Sequence, residues 1–424
     1  MDCLPGGFVD VLLLGCGARE NALAWKLSQS PLLGKLYAAS GNPGIARFAT
    51  CFEVQEAHPQ GVLQLAKRLG VQLVVVGPEA PLVAGVADIL QGEGIWVFGP
   101  TAGAAQVEGS KYFAKQCMQE AGVPTAGFEI FEQLEAAAAR ARSWGRVVVK
   151  MDGLAQGKGV VVAHNAQEAE EAVHTLWAMG GGKQKLLLEE LLEGWEVSLM
   201  AVCDGERFAL LPVAQDHKRL LDGDLGPNTG GMGAYSPLPQ LAEAEVEALG
   251  HLIFPPVLEL LRKKGTPFRG VLYAGLMITP QGPKVLEFNC RLGDPEAQVL
   301  LLQLNEDFLA LALACAKGEL RQAKLKSKPG ASVAVVASAA GYPAAPRKGA
   351  EIFGIAQAEA LGAQVFLAGV KDDFGRLRVN GGRVLSVCAQ AASWVKAQEL
   401  AYAAMEKIRF EGRHFRSDIG AKAF

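Results

Sequence analysis

The chain has no long apolar run, no excess charge of either sign, few aromatics and no closely paired cysteines. Aromatic residues make up 7% of its 424 residues. Forty-one basic residues meet 44 acidic ones, a net charge of −3. That balance excludes the broad basic surface of a nucleic-acid protein and leaves room only for a local basic pocket. The stretch Leu73–Leu90 is apolar overall, but Pro78, Glu79, Pro81 and Asp88 interrupt it. No run approaches the roughly 20 residues that a membrane span needs. The first residues carry Asp2 and no basic cluster, so no signal peptide is expected. Eight cysteines are scattered without a C-x-x-C pair, the pattern of buried, reduced thiols and a cytoplasmic setting. The chain also lacks a Ser/His/Asp order, a His-Glu-x-x-His helix and a cysteine–histidine zinc pattern.

What is present is glycine, 50 residues of it, with half the chain apolar. This suits a multidomain α/β enzyme with many tight turns and two to four domains. Val9–Leu14 is a buried-type strand followed by Gly15-Cys16-Gly17 and a helical run to Leu27. Strand, glycine turn and helix open a doubly wound unit, and such a turn offers amide groups to an anion. The dinucleotide fingerprint is incomplete, because Asn21 stands where its third glycine belongs. Further strands are expected at Lys35–Ala39, Leu73–Val76 and Ile95–Phe98. Four strands ending in glycine-bearing loops put those loops along one carboxyl edge, where open sheets bind ligands. The competing reading is that glycine and proline merely end strands.

Ser110 and Lys111 open a helix to about Ala121. The strand Arg146–Lys150 then leads into Asp152-Gly-Leu-Ala-Gln-Gly-Lys-Gly159. This is not a phosphate-binding P-loop: the glycine spacing is one residue short, and Gly159 replaces the metal-binding hydroxyl. It reads as a glycine turn between two strands, suited to folding over phosphates. Leu186–Glu190 and Val197–Val202 read as strands around Leu191–Glu196. Gln215–Arg219 and Asp224–Ala234 form a long polar loop, of a length that is functional more often than not.

The densest chemistry lies at Lys284–Glu296. Strand alternation puts Glu287 and Asn289 on one face, about 7 Å apart. A carboxylate and an amide oxygen are hard ligands of the kind Mg²⁺ takes beside phosphate oxygens and water. Arg291 follows with a forked donor for phosphate or carboxylate. Gly293 and Pro295 turn Asp294 and Glu296 into the same neighbourhood. An edge strand with a solvated charged face is the alternative.

Taken together, the segments Val76–Val83, Phe98–Ala105, Glu108–Lys111, Lys150–Gly159, Gln215–Arg219, Gly226–Pro237, Tyr273–Met277, Glu287–Glu296 and Asn380–Val384 resemble the glycinamide ribonucleotide synthetase family of the ATP-grasp superfamily. The resemblance implies an ATP-dependent carbon–nitrogen ligase of purine biosynthesis. It would join glycine to 5-phosphoribosylamine through a glycyl phosphate, with Mg²⁺ or Mn²⁺. It implies three domains: a doubly wound domain over 1–104, an ATP-grasp domain over 105–329 with a lid at about 126–192, and a small α+β domain over 330–424. Carried over by motif, Lys111, Lys150, Lys158, Glu189, Glu190, Leu192 and Glu196 would contact ATP, and Glu287 and Asn289 the metal. Asp216, Lys218, Asn228, Thr229, Gly230, Arg291, Asp294 and Glu296 would surround glycine and phosphoribosylamine. Arg291, Lys150 and Asp294 would carry the chemistry, in a monomer with no nucleic-acid or membrane partner. The family commonly has a histidine in its first loop where Asn21 stands, an acidic residue beside Glu196 where Trp195 stands and a threonine where Leu225 stands. The lid segment Met179–Lys183 is shorter than usual. The rival readings are another ATP-grasp carboxylate–amine ligase, a purine carboxylase and a nicotinamide oxidoreductase. The last hundred residues show no catalytic constellation and are expected to close one side of the cleft.

Overall fold

The computed structural model describes residues 7–154, 159–321 and 324–423. The chain opens with a parallel sheet of β1 (Val9–Gly15), β2 (Leu33–Ser40), β3 (Thr50–Phe52), β4 (Leu73–Val76) and β5 (Trp96–Phe98), in the order β3-β2-β1-β4-β5. Four of these strands were expected. The fifth, β3, is three residues long and bears Cys51 between Thr50 and Phe52, too short for a periodic signal. Both faces of β1 are covered, and Val11, Leu12, Leu13 and Leu14 are fully buried. That burial explains why the strand is continuously apolar rather than alternating.

The helix Lys111–Glu120 is capped by Ser110, whose hydroxyl accepts from the Phe113 amide. The chain then enters a second body. Strands β6 (Phe128–Phe131), β7 (Val147–Met151), β8 (Val160–Ala163) and β9 (Leu186–Glu190) pair antiparallel in the order β6-β9-β7-β8. Helices Leu134–Trp144 and Ala166–Met179 cover one face. Their interior, built from residues such as Ala137, Val149, Val173 and Leu188, is a separate apolar cluster that merges with no other. The chain crosses between this body and the rest near Thr125 and Gly194, and both crossings are held closely. Thr125 donates its hydroxyl to the Val285 carbonyl at 2.6 Å. At Gly194 a Cβ would stand 2.2 Å from the Ile278 carbonyl, so only glycine permits that approach.

Next come β10 (Trp195–Asp204), β11 (Phe208–Leu210), β12 (Gln215–Asp216), the hairpin β13 (Arg219–Leu221) and β14 (Leu225–Asn228), and β15 (Gly233–Ser236). The expectation of one irregular loop over 215–234 is therefore corrected. Its polar, glycine-rich residues form a two-stranded ribbon between two short strands, and the alternation that marks strands is masked because the ribbon is exposed on both faces. Strands β16 (Arg269–Thr279) and β17 (Gly282–Asn289) complete an antiparallel sheet ordered β11-β10-β16-β17.

The last domain is built on β18 (Ala331–Ser338), β19 (Gln364–Leu367) and β22 (Arg383–Ala391), with a small hairpin of β20 (Val370–Asp373) and β21 (Arg376–Val379). Its sheet runs β12-β15-β18-β22-β19, so two strands from the middle of the chain join it. The helix Trp394–Met405, capped by Ser393, packs against β18 and β22. The tail straps the β13–β14 ribbon. Arg416, fully buried, pairs with Asp224 at 2.9 Å and Asp418 at 2.7 Å, and donates to the Arg219 carbonyl. Among the described residues, no helix is long and apolar enough to cross a membrane.

Candidate active site

The sheet of β6–β9, the β10–β17 sheet and the β13–β14 ribbon enclose a cleft of about 700 Å³. Sixteen of the expected site residues lie on its wall, and Lys158 falls outside the described residues.

At the lid end, Lys150 at the end of β7 donates to Glu189 at 2.9 Å and to the Leu286 carbonyl at 3.3 Å. Lys115 reaches the same Glu189 oxygen at 3.0 Å, on side chains only 2% exposed. Lysine 115 is a residue that sequence reasoning missed. It lies one turn after Lys111 on the same helix, and that spacing was the available signal. Burial pulls the Lys115 and Lys111 amines below their usual range, against the pull of Glu189 and Glu287. Lys111 donates to the Gly153 carbonyl at 2.7 Å, joining the helix to the glycine turn. Glu190 pairs with Lys284 at 3.2 Å, and Leu192 follows on the same wall. Glu196 at the start of β10 accepts from Lys218 at 2.6 Å. Burial opposes the Lys218 charge, but Glu196 with Tyr273, Glu287 and Asp216 together outweigh it and lift that pKa.

The floor is β17. A bulge at Leu286 shifts its register against β16 just before Glu287, after which Glu287, Phe288 and Asn289 pair regularly with Gly275, Ala274 and Tyr273. Glu287 and Asn289 therefore share a face, as strand alternation requires. Burial disfavours a charge on Glu287, yet Lys218, Lys150 and Lys111 hold its carboxyl below the usual range. The Asn289 amide oxygen accepts from Arg291 at 3.1 Å. An ionised carboxylate and an amide oxygen with a spare lone pair fit a hard divalent cation. No cluster of three or more His, Cys, Asp or Glu competes for one among the described residues.

Arg291 is held from behind by two carboxylates, Glu108 at 2.7 Å and Glu79 at 3.2 Å. Burial works against its charge, and Glu108 and Glu79 outweigh burial and raise its pKa. Neither glutamate was singled out from sequence as a site residue. Both come from the N-terminal half, one at the carboxyl edge of β4, and only the fold brings them to β17.

The far end of the cleft is acidic. Glu296, 2% exposed, accepts from Ser198 at 3.0 Å, and Ser198 meets the Tyr273 hydroxyl at 2.9 Å. Burial and the nearby Glu296 push the Asp216 carboxyl well above its usual range, and one of its oxygens has no partner. Asp294 pairs with Arg383 at 3.2 Å; burial opposes its charge, and Arg383 and Arg19 keep the carboxyl low. Asn228, Thr229 and Gly230 close this end. The Thr229 hydroxyl donates to the Lys218 carbonyl at 2.9 Å. Arg383, from the last domain, was not expected here.

The first glycine turn is not an open anion site. Glu20 accepts from the Gly17 amide at 2.7 Å, and its side chain packs where a Cβ on Gly15 or Gly77 would stand. A carboxylate there repels the pyrophosphate that a dinucleotide would bring. Asn21 is buried, and its side-chain oxygen accepts from the Leu367 amide at 2.8 Å. It works as a tie between the first and last domains.

Three family models divide the chain: the phosphoribosylglycinamide synthetase N domain over residues 9–108, the ATP-grasp (A) domain over 109–297 and the C domain over 332–422. The chain belongs to the phosphoribosylglycinamide synthetase family. A phosphoribosylamine–glycine ligase of Caulobacter vibrioides is 47% identical over 418 residues, covering 97% of this chain and 98% of that protein. One of Brucella melitensis is 46% identical over 417 residues, with the same coverage. The crystal structure of phosphoribosylamine–glycine ligase from Thermotoga maritima superposes with a TM-score of 0.85 at 33% identity, covering 97% of this chain and all of that one. A biotin carboxylase from Campylobacter jejuni, 15% identical with a TM-score of 0.73 over 97% and 94% of the two chains, shares the fold. For this family the cleft is an ATP-grasp site, which uses ATP and a divalent metal ion, within a three-domain architecture whose first sheet is parallel.

Proposed function

We propose that the chain joins the carboxylate of glycine to the amine of 5-phosphoribosylamine, giving glycinamide ribonucleotide, ADP and phosphate. The observation that carries this reading is one cleft with two chemistries. Lysines 111, 150 and 218 and Arg291 gather around Glu287 and Asn289, and the acidic group Asp216, Asp294 and Glu296 lies beyond them.

Lys111, Lys150 and Lys158 bind the phosphates of ATP, Glu189–Leu192 line the base, and Glu196 takes the ribose. Glu287 and Asn289 hold Mg²⁺ or Mn²⁺, which shields the phosphate charge. A glycine carboxylate oxygen attacks the γ-phosphorus in line, and ADP leaves, giving glycyl phosphate. Arg291, backed by Glu79 and Glu108, stabilises the charge on the transferring group. The amine nitrogen of phosphoribosylamine then attacks the glycyl carbonyl carbon. The carbon–oxygen bond to phosphate breaks, and Asp294, on the wall at the acceptor end, takes the proton shed by the amine. Asp216 and Glu296 receive the ammonium of glycine, and Lys218, Asn228, Thr229 and Gly230 orient the two acceptor substrates. No covalent bond to the enzyme is required, and all these residues come from one chain, in keeping with a cytoplasmic monomer.

Domain limits at 104 and 329 belong to the same reading. The separate core over Phe131–Leu188 supports a lid at about 126–192 that closes over nucleotide. The deciding experiment supplies the protein with ATP, Mg²⁺ and phosphoribosylamine and adds single amino acids or bicarbonate in turn. ADP release and amide formation are expected with glycine. Turnover with another carboxylate and none with glycine would reject the assignment.

A further inference from the structure

The segment Asn380–Arg383 reads from sequence as a turn, Asn380-Gly381-Gly382, leading into a strand that Arg383 opens, and the proposed reaction gives it no role. The structure puts its last residue inside the acceptor end of the cleft. Arg383 opens β22 opposite Ser338 on β18. Its guanidinium pairs with the Asp294 carboxylate at 3.2 Å and donates to the Asp294 carbonyl at 2.7 Å. The same group donates to the Gly230 carbonyl and, at 3.5 Å, to that of Gly231. From the other side, the Gly230 amide donates to the Tyr342 hydroxyl at 2.9 Å. The glycines before Arg383 make this possible. A Cβ on Gly382 would stand 2.3 Å from the Tyr342 ring, and one on Gly381 would stand 2.9 Å from the Gly369 Cα.

Two loops of the central domain, Thr229–Gly231 and Gly293–Pro295, are thus bolted together by one fork from the last domain. Without it, Asp294 keeps only the Gln298 amide at 2.8 Å. Gly230 has no side chain to hold its own position, so its backbone depends on these outside partners.

We propose that Arg383, seconded by Tyr342, is a positioning residue for the acceptor substrate: it sets the distance between the Gly230 loop and the Asp294 carboxylate. It touches no reacting atom. It makes the acceptor half of the site complete only when the last domain is docked. A planar fork reaching three carbonyls and a carboxylate cannot be replaced by an ammonium.

This rests on the reading of the cleft given above, and its test has two arms. In steady-state assays of the full chain, R383A is expected to raise the KM for phosphoribosylamine at least tenfold, while the KM for ATP stays within twofold. R383K is expected to recover less than half of the loss. Y342F, which keeps the ring, is expected to raise the acceptor KM about threefold. In the second arm, which needs no turnover, amide exchange over Asn228–Met232 is expected to quicken at least fivefold in R383A. Equal changes in all KM values, or none, overturn the proposal, as does unchanged exchange. If R383A does not fold, Y342F decides by the same two readouts. Absence of glycine turnover in the unmodified protein would instead count against the parent reading, and the exchange arm would still judge Arg383.

Discussion

Glu189→Gln isolates a charge balance on which the nucleotide end of the cleft is built. One Glu189 oxygen faces two ammonium groups at 2.9 and 3.0 Å, and the other oxygen is buried without a partner. At an effective dielectric constant of about 20, each attraction is worth about 5 kcal/mol before desolvation. The carboxylate costs several kcal/mol to bury, so the favourable sum shrinks. Glutamine keeps an oxygen acceptor but takes from Lys115 and Lys150 their direct counter-charge, leaving only the unbonded Glu287 nearby. Removing one partner of a buried pair costs about 3–5 kcal/mol, and the upper half of that range applies with two cations stranded. Urea unfolding followed by tryptophan fluorescence can read this, since Trp144, Trp177 and Trp195 lie in or beside the lid sheet. The double variant K115M/E189Q removes one stranded charge and is expected to recover at least 1 kcal/mol. A loss under about 1 kcal/mol in Glu189→Gln, or no recovery in the double variant, refutes the reasoning.

Three further outcomes are expected. Glu287→Gln should fold with an unchanged unfolding midpoint yet lose turnover by orders of magnitude, and a variant that stays active and metal-responsive would remove Glu287 from the metal site. His217 is 1% exposed with both ring nitrogens unpartnered, and burial, then Lys422 and Arg416, lower its pKa from 6.5 to about 4 against Asp224 and Asp418. The unfolded chain then binds a proton that the folded one refuses. Stability present above pH 6.5 should therefore fall by about 3 kcal/mol as pH drops to about 4, and His217→Phe should flatten that part of the profile. Hydrogen exchange over 126–192 should slow when a non-hydrolysable ATP analogue and Mg²⁺ are added, and an unchanged pattern there would count against a closing lid.

The sequence was most legible where period and chemistry coincide. Val11–Leu14 of β1 and all of β4 are short, uninterrupted apolar runs, and β17 carries its functional residues at alternate positions, so both its strand character and its outward face follow from the period. Ser110 announces its helix by capping it. Less legible were features that exist only between distant segments. Glu79 and Glu108 look like ordinary surface acids until the fold brings them to Arg291, about two hundred residues away in sequence. Arg383 is legible as the start of a strand, but not as a cleft residue until β22 places it against Asp294. The β13–β14 ribbon escaped because its strands span only three and four residues and set Leu220 and Leu221 side by side, so no alternation betrays a half-buried strand. Asn21 stands where the family commonly has a histidine, and its oxygen is spent on the Leu367 amide.

The four-stranded body over Phe128–Glu190 carries its own apolar interior and is pinned at Thr125 and Gly194. A body that brings its own filling can swing without melting, so a swing would break polar ties such as those from Glu189 to Lys115, Lys150 to the Leu286 carbonyl and Glu190 to Lys284, and bend the chain at its two crossings. The pace at which spent nucleotide departs would then be written in those ties and bends rather than in the apolar interior.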